Sequence, residues 1–354
     1  MTAFDDILRS TGEWLRGEGP LNEVVLSSRI RLARNLADFP FLSTAAESER
    51  TEIFRLISEE ILSETPDGRT ILIDMDSAEP LERELLVERH LVSRQHASGE
   101  GARGVTFSPE ETRALMINEE DHLRIQTLRS GLQLEAAWEE VSTIDDQLGK
   151  SLTFAFDRKL GYLTACPTNV GTGIRVSVMV HLPALKLTKE IERVARAARD
   201  MRLAIRGLYG EGTESIGDLY QISNQTTLGR SELEIIESLG ERTIPKIVEY
   251  ELLARDSLAR TRSHQLDDKV WRAYGILRHA RRVTHDEAQS LLSPLRMAIH
   301  MGRFGELDIK TLNELFLMTQ PAHLQKRHGR PLSEEEQAVA RAEYFRNRLA
   351  DHAA

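Results

Sequence analysis

The sequence changes texture near residue 255, and that change limits the possible folds more than any other feature. Upstream, short stretches of alternating apolar and polar residues are interleaved with helical periodicity. Downstream no stretch reads as a strand, and helical patterns cover roughly 255–281, 284–303, 308–319 and 333–350, with Pro321 and Pro331 at junctions. The chain is therefore read as a docking segment at 1–20, a mixed domain of strands and helices at 21–255 and an all-helical domain at 256–354. Its 354 residues, 40% of them hydrophobic, suffice for two well-buried cores.

Within the mixed part, Cys166 to Pro183 is the most informative stretch. A turn-rich loop with Gly171 and Gly173 opens into an alternating strand that carries Arg175. Glycines allow backbone N–H groups to approach a ligand, and a guanidinium fork suits phosphate oxygens. A structural turn before a buried strand explains the same residues equally well. Val24 to Asn35 also alternates, so Arg29 and Arg31 project from one face and Ile30 and Leu32 from the other. Such a pair is commonly a solvated strand edge, but the uncharged Ser27-Ser28 lead-in and the lack of a nearby acidic partner suggest an anion held in common.

A strand from Ala114 runs into Asn118-Glu119-Glu120-Asp121-His122-Leu123-Arg124. Consecutive carboxylates repel unless cations gather around them, so the cluster reads either as a solvated acidic turn or as a site where a carboxylate binds a cationic substrate or accepts its proton. Helices are predicted at 47–64, 80–96, 130–149 and 186–207, the last ending in the glycine-rich segment Arg206 to Glu214, a loop of the kind that closes over substrates. Phe4, Ile7, Leu8, Trp14 and Leu15 suit a short amphipathic helix that docks on the body.

Other readings are excluded. Gly99 to Gly104 matches G-x-G-x-x-G, but a helix precedes it and a strand follows, the reverse of a dinucleotide site. Gly149-Lys150-Ser151 lacks the first P-loop glycine, since position 144 is Ile144. The net charge of −10, without a basic block, disfavours nucleic-acid binding. A single cysteine rules out an internal disulfide framework. No run reaches membrane-spanning length, and a cytoplasmic location is expected.

Taken together, Ser28-Arg29-Ile30-Arg31, Asn118 to Arg124, the Cys166 to Arg175 loop and Arg206 to Glu214 resemble the catalytic domain of the phosphagen (guanidino) kinases over roughly residues 20–255. The resemblance implies an α+β fold, with a mainly antiparallel sheet flanked by helices. Phosphagen kinases of metabolism place a helical domain before the catalytic one, whereas here it follows. That layout and Tyr220 to Gly229 resemble the bacterial protein arginine kinases, which implies phosphorylation of arginine side chains in proteins.

By this resemblance Arg29, Arg31, Arg124, Arg175 and Arg206 hold the ATP phosphates and His90 lies beside the nucleotide. The implied ATP contacts extend to Ser27, Ser28, Ile30, Val176, Ser177, Val178, Met179, Gly207, Leu208, Tyr209 and Gly210. Glu120 and Glu211 hold the guanidinium, with Cys166 next to it; Glu120 is the expected base and Glu119 its alternative. Mg²⁺ is expected to be bound mainly through ATP, and no direct ligand is assigned. Family members carry R-D-x-x-R-A in the helical domain as a phosphoarginine pocket, but Gln337 and Ala338 replace its first arginine and its aspartate here.

The implied setting is the stress response, with proteins marked for a Clp protease. The implied partners are substrate proteins with exposed arginine, a zinc-binding activator, a heat-shock transcription repressor, a Clp ATPase and further copies of the chain. A kinase for free arginine or another small guanidino compound, and an inactive adaptor, are the alternatives.

Overall fold

A computed structural model of the chain describes residues 7–8, 11–63, 70–208 and 215–350. Its centre is an eight-stranded antiparallel sheet built from β1 (Val25–Arg34), β2 (Ile71–Asp74), β3 (Gly104–Phe107), β4 (Arg113–Ile117), β5 (Leu123–Ser130), β8 (Ile174–His181), β9 (Leu203–Gly207) and β10 (Leu219–Asn224). The strand order is β2-β3-β4-β5-β1-β8-β10-β9, and β6 (Phe156–Asp157) with β7 (Gly161–Tyr162) forms a separate small hairpin. The mainly antiparallel sheet flanked by helices is as expected.

β1 lies between β5 and β8, and its register decides what each face carries. Arg31 stands opposite Gln126 on one side and Arg175 on the other, Arg29 opposite Ser177, and Ala33 opposite Arg124. The period of two then sends Ile30, Leu32, Ile125, Val176, Val178 and Ile222 to the other face, where all are 0% exposed. Helices Glu47–Ser63, Leu134–Leu148, Ile191–Asp200 and Ile244–Thr261 cover that face and complete the largest core.

The arginine face is apolar only at its ends. Near β2 to β4, Val105, Phe107, Ala114 and Met116 pack under Leu85 and Leu86 of helix Pro80–Glu88. At the opposite end Leu128, Met179 and Leu219 join Trp14 and the C-terminal helices in another core, through residues such as Leu295, Phe316 and Phe345. A polar strip of the sheet is left uncovered between them. Helices Ser263–His279, His285–His300, Ile309–Met318, Pro321–His328 and Glu334–Ala350 form the C-terminal part.

Several local expectations need correction. The predicted helix at 186–207 is two helices, Pro183–Leu187 and Ile191–Asp200, followed by β9. Lys189 (φ 63°) and Arg202 (φ 57°) adopt left-handed backbone and end each helical run, so Arg206 stands on an edge strand. The helix at 80–96 is broken at His90 (φ 61°) and restarts after Ser93, whose hydroxyl accepts from His96 N–H at 3.0 Å. Near the N-terminus Phe4 lies outside the described residues, and Glu13–Leu15 is only a single 3₁₀ turn, with Trp14 and Leu15 buried. Helix Ile244–Thr261 runs unbroken through residue 255, where the sequence texture changes. No helix among the described residues is long and apolar enough to cross a membrane.

Candidate active site

The uncovered strip of the sheet is the floor of a cleft of ≈1370 Å³, and Arg29, Arg31, Arg124, Arg175 and Arg206 all line it. Five arginines from four strands meet here because cross-strand register brings alternate residues of β1, β5, β8 and β9 to one face. Like charges opposite one another, as Arg31 and Arg175 are, destabilise a sheet. The arrangement makes physical sense if an anion completes it.

Neutral partners hold the forks in place. Arg29 donates to Gln221 Oε1 at 2.7 Å and Ser177 Oγ at 3.3 Å, and Arg175 donates to Ser223 Oγ at 3.1 Å. The Nε groups of Arg31 and Arg175 are buried without a hydrogen-bond partner. Burial and mutual repulsion lower the pKa of Arg29 to about 10, and they push Arg31 and Arg175 down as well. A polyanionic phosphate chain supplies the negative charge and the acceptors that these groups lack. The donor set therefore suits a polyanion such as a chain of phosphates.

The tight turn between β4 and β5 separates the three carboxylates. Asn118 (φ 58°) makes the turn, and its amide donates to the Arg50 and Ala102 carbonyls, both at 2.8 Å. Glu119 is buried, accepting from Ser93 Oγ at 2.6 Å and pairing with Arg124 at 2.6 Å. Asp121 is also buried, accepting from Asn35 Nδ2 and Ala165 N–H, each at 2.7 Å. Glu120 alone of the three lines the cleft; its side chain is 36% exposed and 3.2 Å from Arg124. Among the described residues no His, Cys, Asp and Glu side chains gather in a group of three or more that could hold a metal ion.

Cys166 lines the cleft from the facing loop, its Sγ 3.0 Å from Thr168 Oγ1. Gly173 (φ 65°) packs so closely on β1 that a Cβ would come within 2.7 Å of the Ala33 carbonyl oxygen, so this glycine serves the fit of the loop against the sheet. His90 reaches the cleft from the broken helix, with its ring edge-on to Trp14 at 4.2 Å. Burial and the charges of Arg29 and Arg94 lower its pKa to about 3, which keeps the ring neutral.

The remaining assignments divide by strand parity. Met179, Gly207 and Leu208 line the cleft, and Ser27 and Ser177 line a small cavity beside it with Arg29 and His90. The side chains of Ser28, Ile30, Val176 and Val178 do not face it: Ile30, Val176 and Val178 belong to the opposite core. Ser28 bonds the backbone of Gly131 and Gln133. A motif read as a continuous run had included both faces of a strand. Tyr209, Gly210 and Glu211 lie outside the described residues. In the C-terminal part, Ala338 is buried and Arg341 donates to the Thr319 and Val283 carbonyls.

Sequence reasoning passed over other residues of the cleft. Gln221 lines it from β10 and was legible in principle, because it alternates with the apolar Tyr220 and Ile222. Ser93 holds Glu119 from a turn, and His285, Asp286 and Gln320 enter from the C-terminal helices. Nothing in the local pattern of these helical segments signals the cleft.

Comparison with known proteins agrees with this geometry. Residues 52–254 match the family profile described as the C-terminal catalytic domain of ATP:guanido phosphotransferases, and residues 263–354 match the McsB C-terminal domain of protein-arginine kinases. The protein-arginine kinase of Halothermothrix orenii is 46% identical over 351 residues, 99% of each chain. This chain belongs to the protein-arginine kinase family. It is accordingly a kinase. The family member of Symbiobacterium thermophilum is 46% identical over 97% of this chain and 98% of its own.

Among solved structures, a lombricine kinase is similar with a TM-score of 0.59 and 28% identity, covering 68% of this chain and 70% of its own. The duplicated taurocyamine kinase of Schistosoma mansoni, with bound transition-state-analogue components, has a TM-score of 0.59 at 27% identity. That match covers 69% of this chain and 35% of the duplicated one. Arg29 and Arg31 precede the matched catalytic profile, so their place in the site rests on the register of β1.

Proposed function

We propose that the chain transfers the γ-phosphoryl group of MgATP to the guanidinium of arginine side chains in proteins. The observation that carries this reading is the meeting of five strand-borne arginines with a half-exposed carboxylate, Glu120, in one cleft. The arginines hold the triphosphate and neutralise charge on the group in transfer. Mg²⁺ would be held through the nucleotide rather than by protein carboxylates, and would supply further positive charge to the group in transfer. Glu120 orients the guanidinium and takes its proton as the N–P bond forms and the bond from the γ-phosphorus to ADP breaks. Glu119 is already committed to Ser93 and Arg124, so the base is assigned to Glu120. Glu211 is the second carboxylate in this reading, and Cys166 lies beside the acceptor.

Protein substrates are favoured over free arginine by the names of the full-length relatives and by the C-terminal helices that wall the cleft. Action within a cytoplasmic stress response is part of the same proposal. So are marking of substrates for a Clp protease, self-association, and partnership with a zinc-binding activator and a heat-shock repressor. The test follows labelled γ-phosphate from ATP into casein and into free arginine, with wild type and Glu120→Ala compared. Acid-labile arginine phosphate in casein, made by wild type only, is the expected result. Label in free arginine alone would reassign the substrate, and no label with an activator present would point to an inactive adaptor.

A further inference from the structure

A buried polar relay ties the C-terminal helices to the wall of the cleft. Glu88, the last residue of helix Pro80–Glu88, accepts from the backbone N–H groups of Ala322 at 2.7 Å and His323 at 3.1 Å, and contacts His323 Nδ1 at 2.7 Å. The neighbouring Arg89 presents Nη1 to His323 Nε2 at 3.2 Å and pairs with buried Glu111 at 2.6 Å. A guanidinium only donates, so His323 Nε2 is the acceptor and the ring proton sits on Nδ1, facing Glu88. Every polar atom of the imidazole is thereby used, and the ring is 0% exposed.

The segment that follows Glu88 and Arg89 carries two groups of the site. His90, in left-handed backbone, has its carbonyl held by Gln126 Nε2 at 2.8 Å and its ring against Trp14. Ser93 donates to Glu119, which orients Arg124. We infer that His323 and Glu88 are positioning residues for phosphoryl transfer: the seating of helix Pro321–His328 sets the turn at 89–93, and that turn sets His90 and the Glu119–Arg124 pair. The inference rests on the reading of the cleft as an ATP site. It makes His323, which does not itself line the cleft, part of what shapes the nucleotide site.

The experiment uses the full chain and initial rates with ATP and a protein acceptor varied in turn. For His323→Ala, the ATP KM is expected to rise on the order of tenfold, because displacement of groups around the phosphates costs that much or more. The acceptor KM should change by a smaller factor, since the turn reaches the acceptor only indirectly, through the contact of Arg124 with Glu120. His323→Asn keeps a donor toward Glu88 and should recover most of the loss. Glu88→Gln gives a second reading, with a raised ATP KM, if His323→Ala does not fold. A purely structural role would lower kcat with the folded fraction and leave the ATP KM unchanged in both variants; that outcome overturns the inference alone. A wild type that forms no phosphoarginine removes the functional reading and the inference with it.

Discussion

The three adjacent acids at 119–121 show how far identity alone falls short of role. All carry the same charge in the sequence, yet the turn buries Glu119 and Asp121 and leaves Glu120 half-exposed in the cleft. Glu120→Gln is expected to lower kcat by about 100-fold or more, with the ATP KM little changed, because a general base contributes at least that factor. Glu119→Gln should instead raise the ATP KM, since it loosens Arg124; steady-state kinetics of both variants separate the two effects. Gly173 offers a test of fit. Gly173→Ala places a Cβ against the Ala33 carbonyl at positive φ and should lower stability by about 1–3 kcal/mol, read as a shift of the urea midpoint.

Among the elements, β1 and β8 hold the tension of the site. Arg31 and Arg175 face each other across the strand pair, and burial raises the cost of both charges. Arg31→Gln is expected to stabilise the nucleotide-free protein by about 1 kcal/mol, the scale of a cross-strand pair, while abolishing the rise in thermal midpoint on adding ATP. A neutral side chain that left the midpoint unchanged or lower would show that the repulsion is relieved elsewhere. The alternation of β1 and β8 was legible because period two is a local property. β9 was not: Leu203 and Ile205 continue the apolar pattern of the preceding helix, and only pairing with β10 makes them a strand.

For the whole molecule, the sheet and the C-terminal helices share a core in which Trp14, Leu128, Met179 and Leu219 meet Leu295, Phe316 and Phe345. A chain ended after Thr261 would expose this surface and is expected to aggregate or to lose cooperative unfolding, which light scattering and a thermal melt would detect. Stability should also fall on acidification. His90 and His300 are held near pKa 3 and His181 is pushed well down, each chiefly by burial. Below the ordinary value of about 6.5 the unfolded chain takes up protons that the folded chain refuses, so the urea midpoint should drop from pH 6.5 towards pH 5. Buried Glu111 and Glu251, whose pKa values burial raises, act in the opposite sense above their ordinary range, so a midpoint that rises on acidification would show that they dominate. By itself the sequence determined the strand alternation, the arginine pair of β1 and the acidic turn, because each is a pattern among near neighbours. Only the tertiary structure decided which acid faces the cleft, that Arg206 stands on a strand, that Ile30 and Val176 turn away, and that His323 reaches Glu88. Those facts depend on register and on contacts between segments up to 235 residues apart, which local periodicity does not encode.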